Sequence, residues 1–132
     1  MGSTCKKHDW LVKKIYDHPE LISIKQDDVL SKTEEVALLY KGHLLTIPDI
    51  KFETQFDEHY IEVKSDNSEF LFRKGMSQLE KICMWHEGRG KTLTVAPKIV
   101  MPCGSKYGLW IDMLHELKFY EPGDLFQSPK YF

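Results

Sequence analysis

Residues 47–66 read IPDIKFETQFDEHYIEVKSD, and the fold turns on how this stretch divides. It carries six carboxylates, yet His59 to Lys64 alternates as a strand does, with Tyr60, Glu62 and Lys64 on one face and Ile61 and Val63 on the other. Upstream of it, His43 to Ile47 reads as a strand that Ile50 to Thr54 continues after Pro48, and Gln55 to Glu58 is a polar turn. Further back, Ser31 to Tyr40 is ambiguous. Thr33 can cap a short helix through Glu34 and Glu35, whereas Val36 to Tyr40 before Lys41-Gly42 reads as a strand entering a turn.

The flanks supply helices. Trp10, Leu11, Ile15 and Tyr16 recur at helical spacing between Lys6 and Tyr16, and Asp17-His18-Pro19 ends that run because proline lacks a backbone donor. Leu79, Ile82 and Cys83, with Met76, form one stripe of a second helix over 75–86, stopped by Gly88. Thr92 to Ala96 is a short β-branched strand. Beyond Pro97 the chain is expected to loop out, 107–120 is helix or strand, and the end from Glu121 is irregular. The expected order is helix, three antiparallel strands, helix, strand: a mixed α/β sheet flanked by helices.

With 132 residues and 42% apolar content, the chain suits one domain with a real core. That domain is expected to span 1–132, with its core at about 6–100 and a C-terminal extension over 101–132. No window approaches eighteen apolar residues, and the start lacks an apolar leader core, so neither a membrane span nor a signal peptide is expected. Cys5, Cys83 and Cys103 are odd in number and far apart, which suits reduced thiols in a cytoplasmic or nuclear setting. No Cys/His cluster has zinc spacing. A net charge of −2 announces no nucleic-acid binder, although a local basic face fits within that sum.

Chemistry enters through three residues of the opening stretch. A carboxylate ending one strand and another in the middle of the next can share one divalent cation, because neighbouring strands lie about 5 Å apart. Hard cations such as Mg²⁺ take oxygen ligands of this kind. Lys64 follows Glu62 by two positions and therefore shares its face, where an ammonium can orient water or stabilise charge on an attacked phosphate. Asp49, Glu62 and Lys64 together are a minimal set for metal-assisted phosphodiester hydrolysis.

Pro48-Asp49, twelve residues, then Glu62-Val63-Lys64 resembles the signature of the PD-(D/E)XK nuclease superfamily, whose restriction-endonuclease-like core runs αβββαβ. The segments DHPELISI (17–24), LLTIPD (44–49) and HYIEVK (59–64) look like the TnsA-like nuclease subunit of heteromeric transposases and related phage junction-resolving endonucleases. The resemblance implies a Mg²⁺- or Mn²⁺-dependent endonuclease that cuts DNA, leaves a free 3′-hydroxyl and works as a homodimer or beside partner proteins. It also implies that Asp49, Glu62 and the backbone carbonyl of Val63 bind metal and that Lys64 activates water. Asp9 on the first helix would complete the shell, with Glu20 as a weaker alternative. Gln78 and Lys81 would face the scissile phosphate.

Viral cap-snatching endonucleases offer a second resemblance within the same superfamily. There a helical histidine, matched by His8, joins the metal shell, and Asp27 or Asp28 would add an acid. The substrate would then be RNA, and an imidazole ligand tilts the metal toward Mn²⁺.

Plainer readings stand beside these. A Glu-x-Lys on a strand is by itself an ordinary solvated face, and His8-Asp9 an ordinary helix start; a non-catalytic module that binds nucleic acid or protein through the sheet is the alternative from another class. Arg89-Gly90-Lys91-Thr92 is no phosphate-binding loop, since Trp85 stands where its first glycine is needed and the segment leaves a helix for a strand. Arg89 and Lys91 remain candidates for a basic turn on a nucleic-acid backbone. Trp85, Trp110 and Phe119 are expected in the core, and Cys83 as a small buried hydrophobe. His86, His115 and Glu116 have no partner at metal spacing.

Overall fold

The computed structural model describes residues 3–64, 69–87, 94–103, 106–111 and 116–120, with side chains over 8–64, 70–87 and 94–101. Two helices, α1 (Ser3–Asp17) and α2 (Glu69–Glu87), accompany eight described strands: β1 (Ser31–Glu34), β2 (Leu38–Tyr40), β3 (His43–Thr46), β4 (Ile50–Glu53), β5 (Asp57–Val63), β6 (Thr94–Cys103), β7 (Lys106–Ile111) and β8 (Glu116–Tyr120). Six of these strands form one mixed sheet in the order β1-β4-β5-β6-β7-β8, and β2 and β3 form a separate hairpin. The pairs β1–β4 and β4–β5 are antiparallel, whereas β6 runs parallel to β5. A parallel neighbour needs a long crossover, which α2 supplies.

Strand β5 is buried along both faces from Tyr60 to Val63. On one side Ile61 and Val63 join Ile50, Phe52 and Val100 against Leu11 and Ile15 of α1. On the other, Tyr60 packs with Ile99 against Leu79, Ile82 and Trp85 of α2. Alternation along β5 therefore separates two cores, not a core from solvent, and Glu62 and Lys64 stand on the α2 side. Each large apolar side chain buried in this way contributes about 1.5–3 kcal/mol.

Several sequence expectations need correction. Residues 31–40 are not one element: β1 joins the main sheet, while β2 belongs to the hairpin. Segments 43–47 and 50–54 are not one strand either, because Pro48 cannot continue the ladder and the chain changes sheets there. The three antiparallel strands of the core are β1, β4 and β5, and the hairpin is an excursion between the first two. Its turn, Lys41-Gly42, has positive φ at both residues (50° and 80°), as tight hairpins require. Strand β5 already begins at Asp57, inside the expected turn.

Helix α2 starts at Glu69 and carries Gly75 in its interior, not at its start. Strand β6 runs through Pro97 to Cys103 without looping out, and 107–120 contains strands. Gly88, Arg89, Lys91, Thr92, His115 and the end from Glu121 lie outside the described residues, as do the side chains of Cys5, Cys103, Trp110, Glu116 and Phe119. Trp85 is in the core as expected, and Cys83 is only partly buried. No described helix is long and apolar enough to cross a membrane.

Gly75 shows why α2 lies so close to the sheet. A Cβ there would meet Ile99 Cδ1 at 2.8 Å and Lys64 Cε at 3.4 Å. Gly75→Ala gains roughly 0.5–1 kcal/mol of helix propensity but overpacks a filled core, which costs about 1–3 kcal/mol. A net loss of stability of about 1 kcal/mol is expected, measured by urea unfolding, where a gain would show that the helix can move away freely.

Candidate active site at the end of strands β4 and β5

Register builds this site. Ile50 of β4 is opposite Ile61 of β5, and the Asp49 N–H donates to the Ile61 carbonyl at 3.0 Å, so Asp49 stands opposite Glu62. Residues opposed across an antiparallel pair present side chains to the same side. One Asp49 carboxylate oxygen, Oδ2, accepts a hydrogen bond from the Val63 N–H at 2.7 Å, which fixes the carboxylate at the strand end. Val63 thus engages the site through its N–H.

Glu62 is 3% exposed and Lys64 8%. Lys64 Nζ donates to Glu62 Oε2 at 3.2 Å and to Gln78 Oε1 of α2 at 2.6 Å. The other oxygen, Glu62 Oε1, is buried with no hydrogen-bond partner among the described residues. Burial first, then the charge of Asp49, pushes the Glu62 carboxyl up to about 7, against the opposing pull of Lys64 and His8. An acceptor left bare in a buried site carries a substantial desolvation cost, which a bound cation would offset.

On the far side of Asp49, His8 Nε2 lies 3.3 Å from Asp49 Oδ2 and His8 Nδ1 3.4 Å from Asp9 Oδ1. Its hydrogen bond to Asp49 raises the imidazole to about 9, with burial opposing. Asp9 itself is 80% exposed and its carboxylate contacts His8, not Asp49. Of the two candidates on α1, His8 touches the carboxylate.

A cleft of about 140 Å³ opens here, lined by His8, Asp9, Val12, Glu34, Glu35 and Asp49. Nothing in the sequence around Glu34 and Glu35 marks them as site residues. Glu34 is opposite Ile50, and the Glu35 N–H donates to the Asp49 carbonyl at 3.0 Å, so Glu35 and Asp49, each just beyond the end of its strand, are held together beside Glu62 of β5. Glu35 has φ 52°, a left-handed backbone that costs a non-glycine residue roughly 1–2 kcal/mol. Glu35 lies six residues before Lys41 and Asp49 seven after Gly42, and the register shift between Leu38 and Leu39 absorbs the difference, so simple counting from the turn does not pair them.

Asp27 and Asp28 are elsewhere. Strand β1 begins where Ser31 meets Glu53, at the opposite end of β4 from Asp49, so the residues before it line a different cavity with Asp57 and His59. Glu20 is bound to His18 and Gln26. Lys81 is exposed on α2, and Arg89 and Lys91 are not among the described residues.

No protein-family model matches the chain, and no curated protein or solved structure is significantly similar to it. Among the described residues no three His, Cys, Asp or Glu side chains gather closely enough to form a complete metal cage. Mg²⁺ seldom uses one, since it keeps several waters and takes one or two carboxylates plus substrate phosphate. Asp49 opposite Glu62, with Glu62 Oε1 unclaimed, fits that mode of binding.

A second buried pair lies outside the site: Lys98 Nζ is 2.8 Å from His59 Nδ1. Burial, aided by the Lys98 charge, pushes His59 down to about 3. Between pH 6.5 and 3 the unfolded chain therefore binds a proton that the native state refuses, and stability falls as pH falls through that window. Wild type is expected to lose about 1–2 kcal/mol more than His59→Gln between pH 7 and pH 5 in urea melts. Parallel curves would contradict the neutral His59.

Proposed function

We propose that the protein is a metal-dependent endonuclease that hydrolyses phosphodiester bonds, with DNA as its substrate. The observation that carries this reading is Glu62: a buried carboxylate opposite Asp49, with one oxygen on Lys64 and the other unclaimed. The order α1, β1, β4, β5, α2, β6 supports a restriction-endonuclease-like core, because it runs αβββαβ with Asp49 beside the second strand and Glu62 on the third. A divalent cation held by Asp49 and Glu62 would polarise the phosphate and make water a nucleophile near neutral pH.

Protein groups do the rest. Asp49 is oriented by the Val63 N–H, leaving the Val63 carbonyl as a further candidate ligand. Gln78 fixes the Lys64 ammonium, which is placed to orient water or to stabilise charge on the phosphate. Attack by water on phosphorus breaks the P–O3′ bond, and the 3′-oxygen leaves as a hydroxyl. One site cuts one strand, so cutting a duplex through takes a second copy or a partner protein.

His8 favours a second reading, an RNA endonuclease of the cap-snatching type, because it is His8 and not Asp9 that reaches Asp49. The test compares supercoiled plasmid with single-stranded RNA, each with Mg²⁺, Mn²⁺ or a chelator, using wild type, His8→Ala and Asp9→Ala. Plasmid nicking that needs metal supports the DNA reading. Preferential RNA cleavage, lost in His8→Ala, supports the second. No cleavage of either substrate with either metal sinks both, leaving a non-catalytic binding module.

A further inference from the structure

We propose that the β2–β3 hairpin is an arm that grips a DNA duplex beside the cleavage site, an inference that rests on the nucleolytic reading. The hairpin springs from the site itself: the hydrogen bond from Glu35 N–H to the Asp49 carbonyl closes its base. Its inner side is anchored, with Leu38 buried and Leu45 packed in the core formed by Leu79, Ile82 and Trp85. Its outer side is bare. Leu39 and Leu44 are cross-strand partners and each is 55% exposed, with Ile47 exposed nearby.

Charge indicates the occupant. Residues 36–48 contain Lys41 and His43 but no acid, in a chain with 20 acidic residues, and Lys41 Nζ lies over the Tyr40 ring at the tip. An acid-free arm on the lip of a phosphodiester site suits a polyanion. A two-stranded ribbon fits a groove of B-form DNA, whereas the major groove of duplex RNA is too deep and narrow to admit one. The paired leucines on its outer side suit apolar contact with the thymine methyl groups that the major groove presents.

The test measures binding, not cutting. Fluorescence anisotropy of a short labelled duplex DNA, a matched duplex RNA and a single-stranded DNA is recorded in Ca²⁺ for wild type, Leu39→Ser/Leu44→Ser and Lys41→Glu. Melting temperature and light-scattering mass are recorded alongside. Both variants are expected to bind duplex DNA about tenfold more weakly with unchanged melting temperature and mass. Affinity within twofold of wild type overturns the proposal, as does equal or tighter binding of RNA or single strands, or a change in mass that makes the hairpin a contact between copies. If the variants fail to fold, Leu44→Thr decides by the same criterion. Duplex binding through the hairpin without cleavage under any metal removes the nucleolytic reading and leaves the arm standing; cleavage with an indifferent hairpin does the reverse.

Discussion

Lys64→Ala is expected to lower metal-dependent cleavage at saturating metal about a thousandfold. In the proposed mechanism the ammonium would stabilise charge on the attacked phosphate, and its Nζ is hydrogen-bonded to Gln78 at 2.6 Å. Deleting one partner of a buried ion pair ordinarily destabilises by about 3–5 kcal/mol, because a charge is left alone. Here Glu62 already sits near 7, and without Lys64 its carboxyl rises further and takes up a proton. The stability loss should therefore be well below that range. Single-turnover cleavage at saturating Mn²⁺ together with urea melts checks both halves; unimpaired cleavage would remove Lys64 from the chemistry.

Glu62→Gln is expected to abolish metal-dependent cleavage and, in the metal-free protein, to increase stability at pH 8. The Glu62 carboxyl rises from 4.5 to about 7 on folding, so between those values the native state binds more protons than the unfolded chain. Stability consequently falls as pH rises through that window and stays lower above it. A neutral amide avoids this loss, and a gain of about 1–2 kcal/mol over wild type is expected at pH 8, vanishing near pH 4. Stability given up at a residue needed for activity is the usual trade at a working site. A variant less stable than wild type at pH 8 would mean that Glu62 serves the fold.

Much of the site was legible because strand periodicity places Glu62 and Lys64 together whatever the topology. Asp49 was legible because proline marks a strand boundary. The antiparallel partner of β4 was not, since Ser31 to Glu34 is polar and exposed throughout, and no apolar alternation marks it. That error hid Glu35, which only register brings beside Asp49. The course of β6 was hidden by Pro97 and Pro102, residues that ordinarily argue against an interior strand. His8 and Asp9 are neighbours in sequence with opposite fates: α1 turns His8 toward Asp49 and leaves Asp9 to solvent.

The central claim is that Asp49 and Glu62 hold a divalent cation, and thermal unfolding with and without millimolar Mn²⁺ tests it most directly. A ligand that binds only the folded state stabilises it by about 2.7 kcal/mol at a hundred times its Kd. Wild type should melt several degrees higher with Mn²⁺, and Glu62→Gln should not respond. An unchanged wild-type melting temperature, or the same rise in both proteins, would contradict the account.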